Sequence, residues 1–167
     1  MSWSQDLDTH TMVATGDHVR AVGWLSSDHP FTQGSVPAEF IARLLEFVRR
    51  AGESADALYF PAFGGFHTCE FCSEFHDSRN FGVPVGEQLY VAPGMVAHYV
   101  ERHGYCPPGE FIAAVMAAPL PGTSEYQDAA ADFRRRHQEW WEAFFKRQQG
   151  QAEQTVAPDG AGRHGSP

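Results

Sequence analysis

The chain has 167 residues, a formal charge of −9 at pH 7 and a pI of about 5.4. That length allows one domain to bury a core without needing a metal merely to fold. The acidic balance speaks against a nucleic-acid binder, whose affinity rests on a basic face that neutralises phosphates, and three cysteines, two of them closely spaced, are too few for a secreted disulfide framework.

The start, Met1-Ser2-Trp3-Ser4-Gln5-Asp6, has no basic region followed by an apolar one, so no signal peptide is expected. Residues 1–17 are polar and aperiodic and read as a flexible N-terminal arm. Residues 18–24, with Val19, Val22 and Trp24 among small residues, predict a first strand, and residues 26–31 a loop. Ser35 is placed to N-cap a helix with Pro37 in its first turn. Phe40, Ile41, Leu44, Leu45, Phe47 and Val48 then recur at helical spacing, with Gly52 as the stop. Residues 57–63 read as a second strand, and this strand, helix, strand order predicts a right-handed crossover between parallel strands.

Residues 81–85 and 88–91 around Gly86-Glu87 predict a hairpin. Pro93 starts a helix that runs to His103 with Gly104 as its stop, and Cys106-Pro107-Pro108 opens a short helix over residues 109–117. Ser124 with Gln127 three residues on is a capping-box pattern. It begins a long last helix striped with Tyr126, Ala130, Phe133, His137, Trp140, Trp141 and Phe144, ending at Gly150. Arg134-Arg135-Arg136, flanked by Asp132 and Glu139, is read as a solvated face of that helix. Residues 150–167 lack periodicity and read as a disordered tail. No stretch approaches ~18 consecutive apolar residues, so no membrane contact is expected.

The chemistry gathers in His67-Thr68-Cys69-Glu70-Phe71-Cys72 and in two histidines of the Pro93 helix, His98 and His103. Two thiolates on one turn plus imidazoles from a remote helix is how a chain builds a tetrahedral zinc site. His67 and Cys69 are two apart on a strand and can face one side. On the helix, His103 falls near the centre of the face defined by Met95, Val96, Tyr99 and Val100, whereas His98 lies roughly 140° away. One ion takes both only if the last turn loosens. Two quartets therefore compete: Cys69, Cys72, His98 and His103, or His67, Cys69 and Cys72 with one helical histidine. Cys106 reads as a small buried residue or a further thiolate, and His76 as ordinary surface.

Two catalytic readings stand beside a structural one. Glu70, between the cysteines, either faces water or serves as general base toward a zinc-activated water, and the latter needs one ligand position left open. A histidine left unbound would then carry the proton, and His29, between Asp28 and Pro30, is either a turn residue or a group leaning over the site. A dithiol oxidoreductase is the third reading, since strand, helix, strand, Cys-x-x-Cys is also how a thioredoxin-like unit opens. The segment after Cys72 is short and polar, however, where that fold needs a long helix.

Four segments also carry a resemblance. They are residues 65–72 (GFHTCEFC), 80–84 (NFGVP), 90–99 (YVAPGMVAHY) and 103–111 (HGYCPPGEF). Together they resemble a family of small soluble bacterial proteins known only as a domain of unknown function, over roughly residues 18–133. The resemblance highlights His67, Cys69, Cys72, His98 and His103, with Trp24 and His29 behind them, and implies no reaction. The chain departs from the pattern at Cys106 and in its longer aromatic C-terminal helix and tail.

The expectation is thus an α/β domain, with α+β as a variant, over residues 18–149. It would have a mixed sheet of about four strands, packed helices and a long C-terminal helix. Its function is cytoplasmic zinc binding in a structural or interaction role, with a small metal-dependent enzyme acting on a small molecule as the alternative. Trp140, Trp141, Phe144 and Phe145 span a wider arc than one core-facing stripe needs, which fits either a deep groove of the same domain or an aromatic patch covered in a homo-oligomer or by a protein partner.

Overall fold

The computed structural model describes residues 3–54, 58–60 and 67–155. The chain divides after Arg136 into two units, Met1–Arg136 and His137–Pro167.

The first unit is built on a four-stranded mixed sheet in the order β1 (Val19–Ala21), β6 (Gln88–Pro93), β5 (Asn80–Val85), β2 (Tyr59–Phe60). β1 runs parallel to β6, β6 antiparallel to β5, and β5 antiparallel to β2. β1 and β2 therefore point the same way, as the strand, helix, strand order predicts. They lie at opposite edges, however, because the contiguous β5–β6 hairpin takes the two central places. Gly86 makes that hairpin tight, with φ of 57° at the first of the two turn positions between Val85 and Gln88. Both central strands are buried almost throughout, as their apolar runs require. A separate two-stranded ribbon, β3 (His67–Thr68) with β4 (His76–Asp77), pairs His67 with Asp77 and Thr68 with His76.

Helix α1 (Ala38–Glu53) packs on α2 (Val96–His103) and α3 (Gly109–Ala117), while α3 and α4 (Ser124–Arg136) lie against β5. The buried side of α1 is Phe40, Leu44, Phe47, Val48 and Ala51. Phe40 meets Phe111 of α3 edge-on, and Phe47 meets Phe81 and Tyr126. Arg43 caps the far end of α3 by donating to the carbonyl of Ala118 at 2.6 Å. Tyr126 ties α4 to the sheet: its hydroxyl accepts from the Leu58 amide at 3.0 Å and donates to the Gly82 carbonyl at 3.2 Å.

Several boundaries differ from the sequence reading. Ser35 is not the cap of α1; Pro37 occupies that position without a side-chain bond, and the helix passes through Gly52 to Glu53. Gly52 is instead a place of close approach, since a Cβ there would meet the Arg79 guanidinium at 2.6 Å. α2 begins at Val96 because Pro93 still belongs to β6, where it pairs with Asn80. At the start of α4 the cap is Thr123, whose hydroxyl accepts from the Tyr126 amide at 3.3 Å; Ser124 is already helical. The long last helix is two helices, α4 and α5 (Gln138–Thr155), broken at His137, and α5 runs through Gly150 to Thr155. Of the second predicted strand, Tyr59–Phe60 is seen, while residues 57 and 61–63 lie outside the described residues, as do 156–167 of the tail.

The stretch read as a loose arm is laid along β1. Leu7 N–H donates to Ala21 O at 2.7 Å, Ala21 N–H to Asp8 O at 2.8 Å, and Ser4 N–H to Trp24 O at 3.1 Å. Its polar composition hides this, because the attachment is made by the backbone. Among the described residues, no helix is long and apolar enough to cross a membrane.

Candidate metal centre

The cysteines sit on the turn of the β3–β4 ribbon. Ser73, in the left-handed region at φ of 60°, turns the chain and donates its amide to Cys69 O at 2.8 Å. Cys69 N–H donates to Phe75 O at 2.7 Å, closing the knuckle across the ribbon. Burial pushes the Cys69 thiol up, and the neighbouring Cys72 adds to this, while the amides of Phe71 and Cys72 bond the sulfur and pull the other way. Amides aimed at sulfur are the groups that support a thiolate when a cation arrives.

The histidines come from α2. Tyr99 and Val100 bury the helix against the core, and Gly104, left-handed at φ of 65°, ends it. The last turn does not loosen; α2 is regular to His103. The roughly 140° between His98 and His103 is bridged by the reach of the two imidazoles, whose Nε2 atoms come to 3.1 Å. Phe75 lies flat on His98, with ring centroids 4.5 Å apart at 9°. Phe71 packs against His103 at 5.2 Å and edge-on to Tyr99 at 5.7 Å. Burial pushes the His98 imidazole down, the charges of His103 and Arg102 add to it, and Glu74 opposes.

The four ligand atoms converge. Cys69 Sγ is 3.3 Å from His103 Nε2, Cys72 Sγ is 3.4 Å from His98 Nε2, and all four lie within 4.8 Å of one another. A tetrahedron around zinc with ordinary Zn–S and Zn–N bonds has edges of about 3.3 to 3.8 Å. Hydrogen bonding alone serves this cluster badly. Each imidazole Nε2 offers one in-plane proton or one lone pair, yet each here faces both a sulfur and the other imidazole. A cation at the centre uses every lone pair once.

The family profile of a domain of unknown function, DUF7919, matches residues 2–116, more than half of the chain. The chain belongs to the DUF7919 family. The match begins earlier than residue 18, so it takes in the segment laid along β1, and it stops within α3, short of residue 133. All four converging residues fall inside the DUF7919 stretch. No curated protein and no solved structure matches the chain.

Other residues singled out in the sequence are placed elsewhere. His67, half-buried on β3 opposite Asp77, is not among the four converging residues. Glu70 is turned away to the 26–29 loop, where its carboxylate accepts from the Ser27 amide at 2.9 Å and hydroxyl at 3.2 Å. His29 stacks on Trp3, with centroids 4.2 Å apart at 11°. Cys106, half-buried, lies against Gly34 and is not in the cluster. Trp24 is a core residue whose indole donates to Val91 O at 3.0 Å.

Sequence reasoning missed the groups that hold the ribbon in place. Asp77, almost fully buried, takes the Arg79 guanidinium on both oxygens, with Nη2 to Oδ2 at 2.6 Å, and the Arg79 amide at 2.7 Å. Gly94 lets that carboxylate approach, since a Cβ there would sit 2.6 Å from Oδ2. A groove of about 540 Å³ opens beside the centre, walled by Phe75, His98, Arg79, Arg102 and the α1 residues Leu45 and Arg49.

Proposed function

We propose that this DUF7919 protein binds one zinc ion in a closed site of two cysteines and two histidines, and that the ion clamps the β3–β4 ribbon to α2. The observation that carries the reading is the convergence of Cys69, Cys72, His98 and His103, with neighbouring ligand atoms 3.1 to 3.4 Å apart. Zinc is the metal this donor set suits, two thiolates and two imidazoles at tetrahedral spacing. The role is structural: with four protein ligands no position remains for water, and the ribbon, two residues per strand, cannot stand alone. A reducing cytoplasm, where the thiolates stay free for metal, is the compartment this chemistry fits.

The groove beside His98 keeps a second reading in view, a small metal-dependent enzyme in which one ligand leaves and a small molecule enters from that side. Glu70 does not support it, being held by Ser27. The dithiol reading is the least supported, because burial and Cys72 push the Cys69 thiol up rather than down and no long helix begins at the knuckle.

Cobalt substitution separates the readings. A tetrahedral two-thiolate absorption spectrum, unchanged by azide or cyanate, is the expected result. A spectrum that shifts with those anions would establish an open site and favour the enzyme.

A further inference from the structure

We propose that the first unit holds a second site, sharing no residue with the metal centre, which binds an organic ammonium cation between Trp3, Asp6 and Phe31. A cavity of about 400 Å³ lies between the N-terminal segment and the 25–32 loop, with Leu25, Pro30 and Thr32 completing its wall. That volume suits a ligand head of a few carbons rather than a large cofactor. Among the described residues that line it, Asp6 is the one ionisable side chain.

The Asp6 carboxylate is bonded by neutral donors. Its Oδ1 accepts from the Gly23 amide at 3.0 Å and from the Tyr105 hydroxyl at 2.8 Å. No arginine, lysine or histidine among the described residues pairs with it. Burial pushes this carboxyl up, and those two bonds pull it partly back. A partly buried anion without a countercharge is half of an ion pair, and a cation entering the cavity would supply the other half.

The two rings decide what kind of cation. Trp3 is 41% exposed and is held flat against His29. Phe31 is braced edge-on by Phe71 at 5.3 Å and by Tyr105 at 6.1 Å. Aromatic rings held in place by their neighbours, with a carboxylate lining the same cavity, attract an ammonium through the ring quadrupoles and pack against its carbons. An anion is repelled by Asp6, and a neutral molecule keeps only the packing against the rings, without the cation–π attraction or the ion pair. A carboxylate that merely fastened the N-terminal segment to Gly23 and Tyr105 would need no exposed tryptophan and no cavity beside it.

The test is calorimetric titration of the intact, zinc-loaded protein with choline and with n-butylammonium, against the neutral choline isostere 3,3-dimethylbutan-1-ol. At least one of the two cations is expected to bind saturably, and the isostere about tenfold more weakly or not at all. Asp6→Asn keeps an oxygen acceptor for Gly23 and Tyr105 while removing the charge, and should weaken cation binding about tenfold. Trp3→Ala, at an exposed position, should weaken it about fivefold with zinc content unchanged, and it decides the matter should Asp6→Asn fold poorly. Absence of saturable binding by either cation, equal binding of the isostere, or wild-type affinity in the Trp3→Ala protein would overturn the proposal.

Discussion

At Cys69 and Cys72 a change of one atom separates a ligand from a bystander. A serine hydroxyl stays protonated and binds zinc far more weakly than a thiolate, while filling nearly the same volume. Cys69→Ser and Cys72→Ser should each lose most of the roughly one zinc per chain expected for the purified protein, measured by elemental analysis. Cys106→Ser and His67→Ala should keep it, since neither residue belongs to the converging set. Full zinc in both knuckle variants would sink the assignment. The four converging residues were legible because Cys-x-x-Cys and His-x4-His are local patterns. That His67 stays outside the cluster was not, since it depends on how a two-residue strand turns its side chains in the folded ribbon. Nor was the bond from Glu70 to Ser27, which joins residues 43 apart in sequence.

Among the elements, the β3–β4 ribbon depends most on help from outside. It is fastened at one end by the proposed metal and at the other by Asp77 with Arg79 against Gly94. Removing zinc with a chelator should raise amide hydrogen exchange across residues 67–77 while the β5–β6 hairpin stays protected, because a short ribbon without its clamp opens by itself. Uniform exchange across both would mean that the metal holds the whole domain. Gly94→Ala tests the other fastening. Its Cβ would lie 2.6 Å from Asp77 Oδ2, an oxygen that accepts from both Nε and Nη2 of Arg79. A loss of about 1 to 3 kcal/mol in urea denaturation is expected. Gly109→Ala, where a Cβ meets nothing within 4 Å, should stay within about 0.5 kcal/mol of the parent. The helices and the hairpin were readable from apolar periodicity and from Gly86 and Gly104. The ribbon was not, because two residues per strand are too short to show a period. The break at His137 has no glycine or proline to announce it.

At the scale of the whole molecule, the order of elements implied a mixed α/β sheet but could not show that β1 and β2 sit at opposite edges, since strand order is decided by long-range pairing. The second unit lies beyond the DUF7919 match, and α5 is where an association between chains is proposed. Its aromatic side chains form a continuous set: Trp140 stacks with Phe144 at 5.7 Å, and Trp141 meets Phe145 at 5.1 Å. Phe144 is buried, whereas Phe145 is 37% exposed. An exposed phenylalanine one turn from a tryptophan makes a patch that a two-fold copy of itself can cover, the simplest closed arrangement for identical chains. The intact protein should then show a mass in light scattering that rises with concentration toward twice the chain mass. Phe145→Glu places a charge in the middle of that contact, and truncation before Gln138 removes it altogether. Both should return the mass to that of one chain, 18.5 kDa for Phe145→Glu and about a fifth less for the truncated protein, with zinc content unchanged, because the four candidate ligands all lie in the first unit. A monomer at every concentration would end the self-association idea and leave the aromatic patch to a different partner.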